Sequence, residues 1–247
     1  MRNSHLEDWL DDSSYFSALA VLSQGPLHPG GMVPNGLLAS RLNWSDVQVL
    51  DLGAGTGLSH RFYTALGAHV VSVEPNAWMR RAAVKAGVAP SEIHAIAAED
   101  ISGSWLNERF DNARLVVQGV TGFLPNGLDT LIPILAHSSI SEVVLVEWVC
   151  ARTNYGSAPV RNAYCATDYL AAVEQAGFRS LSLETFSYNA PDNALREDEA
   201  ESRVRWHFNE ANEMNWIGAL PLKLSTIRLP STTAKDYLIL IARRLHT

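Results

Sequence analysis

The segment Val49-Leu-Asp-Leu-Gly-Ala-Gly-Thr-Gly57 constrains this chain more than any other stretch. Val47, Val49, Leu50 and Leu52 make an apolar run of the length of a buried strand. Glycines follow at alternate positions, Gly53, Gly55 and Gly57. Glycine adopts positive φ at little cost and lets the backbone approach a ligand closely. A helix starting behind such a turn points its free N–H groups and the positive end of its dipole back at it. The combination predicts a strand, a tight turn and a helix that together cradle a nucleotide or nucleoside.

A second strand, Ala68-His-Val-Val-Ser-Val73, ends in Glu74. An acidic side chain at that place accepts the ribose hydroxyls of an adenosine in dinucleotide folds. Nicotinamide-type turns read G-x-G-x-x-G. Here the third glycine comes one residue early, at Gly57, and Leu58 occupies the nicotinamide-type position. Three segments in order, Leu50-Asp-Leu-Gly-Ala-Gly-Thr-Gly57, Val73-Glu-Pro-Asn-Ala-Trp-Met79 and Ala97-Ala-Glu-Asp-Ile101, resemble the class I S-adenosylmethionine-dependent methyltransferases of the small-molecule type. The resemblance spans roughly residues 45–180 and a last strand near 235–243.

The resemblance implies a Rossmann-like, doubly wound α/β fold with a mostly parallel seven-stranded sheet and an antiparallel last strand. It implies S-adenosyl-L-methionine as cofactor and S-adenosyl-L-homocysteine as product. Asp51, Gly53, Ala54 and Gly55 would face the methionine part and the ribose, Glu74 and Pro75 the ribose, and Met79 the adenine. Ala98 and Glu99 stand where many members recognise adenine, with Gln118 at the end of the fourth strand as the next candidate. One common form of the pattern carries Asp where this chain has Ala97, which shifts adenine recognition to Glu99, Asp100 or backbone groups. After the fourth strand stands Val117-Gln-Gly-Val-Thr-Gly122. The Pro-Pro form that marks methylation of nucleobase amino groups or protein glutamine is absent there, which disfavours those substrates.

Strand and helix patterns alternate along the middle of the chain, the signature of a parallel sheet with crossover helices. Strands are expected at 47–52, 69–73, 93–97, 114–118, 142–148, 179–187 and 235–243, with helices at 57–66, 76–86, 102–108, 127–137 and 167–176. Residues 1–44 read as an N-terminal helical cap, with amphipathic helix at 5–24, a Pro/Gly loop at 25–31 and a short helix near 34–42. Residues 45–247 form the cofactor-binding domain, interrupted by a helical insertion at 188–232. Within it, Arg196–Arg203 is a charge run of the solvated type. The cluster Trp206, His207, Phe208 and Trp216 reads either as an aromatic cap over a substrate or as a seam packing the insertion on the sheet.

Bulk properties narrow the partners. The 247 residues, 47% hydrophobic, suffice for one large α/β domain. A formal net charge of −7 argues against nucleic acid, which calls for basic patches. The two cysteines, Cys150 and Cys165, have no metal-ligand spacing and suit free thiols in a reducing compartment. The polar, acidic N-terminus is no signal peptide, and no apolar run reaches membrane-span length. The expectation is a cytoplasmic enzyme, monomer or homodimer, acting on a small molecule away from membranes. Leu27-His-Pro-Gly-Gly-Met32 resembles a capping loop of small-molecule methyltransferases, which implies that Tyr15 and His28 lie near the sulfonium or the carboxylate of the cofactor. His28, Glu147 and His207 are the candidate catalytic groups, Glu147 because it closes the strand Val143-Val-Leu-Val-Glu-Trp148.

Overall fold

The computed structural model describes residues 33–149, 164–188 and 235–245. Helix α1 (Val33–Arg41) leads into strand β1 (Gln48–Leu52). Helix α2 (Leu58–Ala65), strand β2 (His69–Val73), helix α3 (Ala77–Lys85) and the short strand β3 (Ile93–His94) follow. Next come helix α4 (Gly103–Asn107), strand β4 (Ala113–Gln118), helix α5 (Leu128–Ala136) and strand β5 (Ile140–Val149). Helix α6 (Ala166–Gln175) and strands β6 (Phe178–Tyr188) and β7 (Lys235–Arg244) complete the described elements. The expected helix at 5–24, loop at 25–31 and the 188–232 insertion beyond the end of β6 lie outside the described residues.

The strands form one seven-stranded sheet in the order β3-β2-β1-β4-β5-β7-β6. β1 through β5 run parallel, while β7 is antiparallel to both β5 and β6. Because β1 neighbours both β2 and β4, the chain leaves β1 toward one edge and later returns to build toward the other. That reversal is the topological switch point, where open α/β sheets bind ligands beyond the carboxyl ends of their strands. β3 is shorter than its sequence pattern suggests. Its ladder ends at His94, and residues Ala98–Asp100 coil into a 3-10 turn.

Alternation along each strand gives the sheet two unlike faces. Leu50, Leu52, Leu115, Val117, Val143, Leu145, Leu238 and Leu240 face one side and pack on α5 and α6 through Leu131, Leu135, Tyr169 and Val173. Fully burying such a side chain contributes about 1.5–3 kcal/mol. The opposite face carries Val49, Val116, Val144 and Ile239 under Leu38 of α1, Trp44 and Tyr63 of α2. Trp44 and Tyr63 stack with centroids 4.0 Å apart. Between α2 and α3 the packing is tight at Gly57, whose φ is +75°. A side chain there would meet Val88 Cγ2 at 2.6 Å and Ala83 Cβ at 2.8 Å.

At the amino end of the sheet, Arg114 is buried against Trp44, with its guanidinium carbon 4.3 Å from the ring centroid. Its Nε donates to Glu142 at 2.6 Å and its Nη1 to the Asn43 carbonyl at 3.0 Å. Removing one partner of a buried pair strands the other charge and costs about 3–5 kcal/mol. Glu142→Ala should therefore lower unfolding free energy by about that amount in urea titrations. Arg243→Ala removes only the exposed second partner of Glu142 and should cost under about 1 kcal/mol.

Candidate functional site at the glycine turn

The turn after β1 takes three positive-φ residues in five: Gly53 at 73°, Gly55 at 56° and Gly57 at 75°. The N–H groups of Gly53 and Ala54 donate to the Val73 carbonyl at 2.9 and 3.2 Å, which ties the turn to the end of β2. Gly53 also lies against the loop after β4. A Cβ at Gly53 would sit 2.5 Å from Val120 Cγ2.

Glu74 organises the rim. Its Oε2 accepts the Gly55 N–H at 2.9 Å, and its Oε1 accepts the Asn76 N–H at 2.8 Å. The Asn76 side chain then caps α3 through the N–H groups of Trp78 and Met79. Arg80 straps the same turn, donating to the Glu74 and Pro75 carbonyls at 2.6 Å each. Burial raises the Glu74 pKa, while the bonds from Asn76 and Gly55 pull it back down. Each carboxylate oxygen has two acceptor sites, so Glu74 keeps capacity for two further donors. That donor demand matches the vicinal hydroxyls of a ribose.

Ala98 and Glu99 stand in the 3-10 turn after β3, at the same carboxyl end of the sheet as Glu74; Ala98 is buried and Glu99 exposed. Met79 is buried on α3. Asp51 and Gln118 turn to the face of the sheet that carries Val49. The Asp51 carboxylate accepts the Ser72 hydroxyl at 3.2 Å. Gln118 accepts the Ser59 hydroxyl at 2.5 Å and donates to Asn35 Oδ1 at 2.9 Å, joining β4 to the first turns of α2 and α1. Burial pushes the Asp51 carboxyl up to about 7, Ser72 opposes the rise and the charge of Glu74 adds to it.

Glu147, near the end of β5, is buried and accepts the N–H groups of Val120 and Thr121 at 2.9 and 3.2 Å. Thr121 Oγ1 in turn bonds the Tyr169 hydroxyl at 2.7 Å. Glu147 thus holds the very loop that packs on Gly53. Tyr164 fills the space above Gly127 and accepts the Leu128 N–H at 3.0 Å. Tyr15, His28, Tyr155, Trp206, His207, Phe208 and Trp216 lie outside the described residues. Among the described residues no group of three or more His, Cys, Asp or Glu is arranged to hold a metal ion.

Reasoning from sequence placed the turn, Glu74 and Glu147 at strand ends. It missed His60, Ser72, Glu92, Ser59 and Asn35, all of which bond into the polar cluster beneath the turn. The available signal was Ser72, a polar residue inside the apolar run Val70-Val-Ser-Val73.

The sheet order, the antiparallel β7 and the glycine turn together define the class I methyltransferase fold. No family model matches the chain, and no curated protein matches its sequence. Its likeness to solved structures is extensive at low identity. Phosphoethanolamine N-methyltransferase 2 of Haemonchus contortus, solved with phosphomonomethylethanolamine and S-adenosylhomocysteine, superposes with a TM-score of 0.61 at 15% identity. That match covers 96% of this chain and 59% of the nematode protein, so this chain spans little more than half its length. YjhP of Escherichia coli gives 0.61 at 12% identity, covering 93% and 99% of the two chains. The [4+2]-cyclase SpnF gives 0.57 at 17%, covering 86% and 80%.

Burial pushes the Glu147 carboxyl up to about 7 from near 4.5, against the pull of Val120 and Thr121. A raised folded-state value means that the fold binds this proton more tightly than the unfolded chain. The stabilisation is complete below pH 4.5 and fades as pH rises through 7, by on the order of 3 kcal/mol. Glu147→Gln removes that titration. The loss of thermal stability between pH 5 and pH 8 should be smaller in the variant than in the parent, as differential scanning calorimetry would read.

Proposed function

We propose that this chain binds S-adenosyl-L-methionine at the glycine turn and transfers its methyl group to a small, partly apolar acceptor. The observation that carries the reading is the Glu74 carboxylate, fixed by the Gly55 and Asn76 N–H groups beside a turn of positive-φ glycines. Glu74 would hold the ribose, the backbone of Gly53, Ala54 and Gly55 the methionine part, and Ala98, Glu99 and Met79 the adenine end. The fold of the methyltransferases crystallised with S-adenosylhomocysteine or S-adenosylmethionine supports the same assignment.

When bound, the cofactor supplies a methyl group on a sulfonium, already joined to a good leaving group. What remains for the chain is alignment and exclusion of water. Orientation alone supplies roughly 7–11 kcal/mol of such a barrier. A base is required only if the acceptor must lose a proton, and a group titrating near neutral pH suits that task. Glu147 meets the condition on titration. His28 and His207 are the other candidates, with Tyr15 beside the cofactor. Residues 1–44 would cap the site and the 188–232 insertion would shape the acceptor pocket. The same reading places the enzyme in the cytoplasm as a monomer or homodimer, supported by a sequence with only two cysteines. No helix among the described residues is long and apolar enough to cross a membrane.

A second reading keeps the cofactor and drops the methyl transfer: a regulator, a partner subunit, or an enzyme of non-methyl chemistry. The likeness to SpnF, a cyclase, favours it. Incubation with S-adenosylmethionine and an acceptor panel separates the two, with S-adenosylhomocysteine release read by mass spectrometry. Binding without release favours the second. Calorimetry should show S-adenosylmethionine binding and no NAD(P) binding; the reverse would defeat both readings. Glu74→Gln should weaken S-adenosylmethionine about 10–100-fold, the loss expected of hydrogen bonds to a charged acceptor. Gly55→Arg should abolish detectable binding, since its φ of 56° disfavours a side chain and the turn would be filled.

A further inference from the structure

Beneath the glycine turn, four side chains form one hydrogen-bonded line from the interior to the surface. Ser72 Oγ lies 3.2 Å from Asp51 Oδ2, His60 Nδ1 lies 2.9 Å from Ser72 Oγ, and His60 Nε2 lies 3.2 Å from Glu92 Oε2. Asp51, Ser72 and His60 are all buried, whereas the Glu92 side chain is 49% exposed. The backbone holds the line in register: Asp51 pairs with Ser72 between β1 and β2, and the Ser72 N–H donates to the Glu92 carbonyl at 2.7 Å.

Donor and acceptor accounting allows this line two states of equal proton count in which every bond is made with Glu92 ionised. In the first, Asp51 is a carboxylic acid that donates to Ser72. The Ser72 hydroxyl then donates to Nδ1 of a neutral His60, and Nε2–H donates to Glu92. In the second, Asp51 is a carboxylate that accepts from Ser72. Ser72 accepts from Nδ1–H of an imidazolium, and Nε2–H again donates to Glu92. The two hold the same protons and differ only in where they sit. Asp51 gives its proton to the Ser72 oxygen as the Ser72 hydroxyl proton passes to His60 Nδ1.

We propose that Asp51, Ser72, His60 and Glu92 form a proton relay in which a cationic nucleoside bound at the glycine turn draws the proton of Asp51 onto His60. The inference rests on the S-adenosylmethionine reading of the site and names a linkage in it. Asp51 stands two residues before Gly53, so a sulfonium or ammonium group at the turn favours its ionised form. In the empty site burial favours the first state, in which neither Asp51 nor His60 carries a charge. Burial lifts the Asp51 pKa, with Glu74 adding to the rise, and burial lowers that of His60, against the pull of Glu92 and with the push of Arg61. Tyr63, near Asp51, is held neutral by burial and contributes no charge. Gln118 is committed to Ser59 and Asn35.

The test follows the ring nitrogens of His60 by ¹⁵N NMR at pH 7 while the intact chain is titrated with S-adenosylmethionine, with calorimetry recording saturation. The two ring signals should move together toward the imidazolium position as the site fills. In Ser72→Ala, saturated with the same ligand, the His60 signals should stay at the neutral position. Full heat of binding with unmoved His60 signals in the parent overturns the relay alone. An equal shift in Ser72→Ala also overturns it, because the effect would then pass through space. No heat of binding overturns the cofactor reading and the relay with it.

Discussion

The bond from the Gly55 N–H to Glu74 is the contact on which the rest of the site depends. Two parallel strands end side by side, and each turn after them would expose unpaired backbone donors. The Val73 carbonyl takes those of Gly53 and Ala54, and the Glu74 carboxylate takes those of Gly55 and Asn76. Asn76 then satisfies the first turn of α3. One short run, Val73 to Asn76, thus settles the start of a helix and the shape of the turn across from it. The bonds also explain why the turn is rich in glycine. Gly53, Gly55 and Gly57 hold φ of 73, 56 and 75°, a region that costs other residues about 1–3 kcal/mol.

The two faces of the sheet do different work. The face that packs on α5 and α6 is apolar along most of its central strands, with the Glu147 carboxyl buried near the end of β5. The other carries a polar thread, Asp51, Ser72 and Gln118, across neighbouring strands directly below the turn. Buried polar groups cost several kcal/mol unless partnered, and here each has a partner. A cheaper apolar alternative existed at each position, as Val49 and Val116 on the same face show. The thread joins the turn to α1 through Asn35 and to α2 through His60 and Ser59. Any change of charge beneath the turn is therefore felt by the helices that flank it.

Much of this architecture was legible in the residues. The helices at 58–65, 77–85 and 166–175 stand within a residue of their expected limits, because a glycine two positions beyond the last residue marks the end of each. The site's rim was legible too, since strand-end positions follow from the pattern alone. The directions of side chains were harder. Gln118 reads as a strand-end group aimed at a ligand, yet it stands two positions after Val116, and that parity turns it toward α1 and α2. His60 and Glu92 are 32 positions apart, and only the pairing of β2 with β3 brings them together. Periodicity carries burial; it does not carry which buried polar group meets which.

The rim at the glycine turn is made mostly of backbone and one carboxylate, that of Glu74. The opposite side of the cleft is built from side chains at the ends of β4 and β5 and from the segments that join them. The two sides are not independent. Glu147 on β5 fixes the N–H groups of Val120 and Thr121, and Val120 packs on Gly53. A buried carboxyl on β5 thus sets the position of the loop against the glycine turn. Ionisation of Glu147 would strengthen its hold on those two N–H groups, and protonation would loosen it. The protonation of this one carboxyl is therefore passed to the turn through the loop after β4.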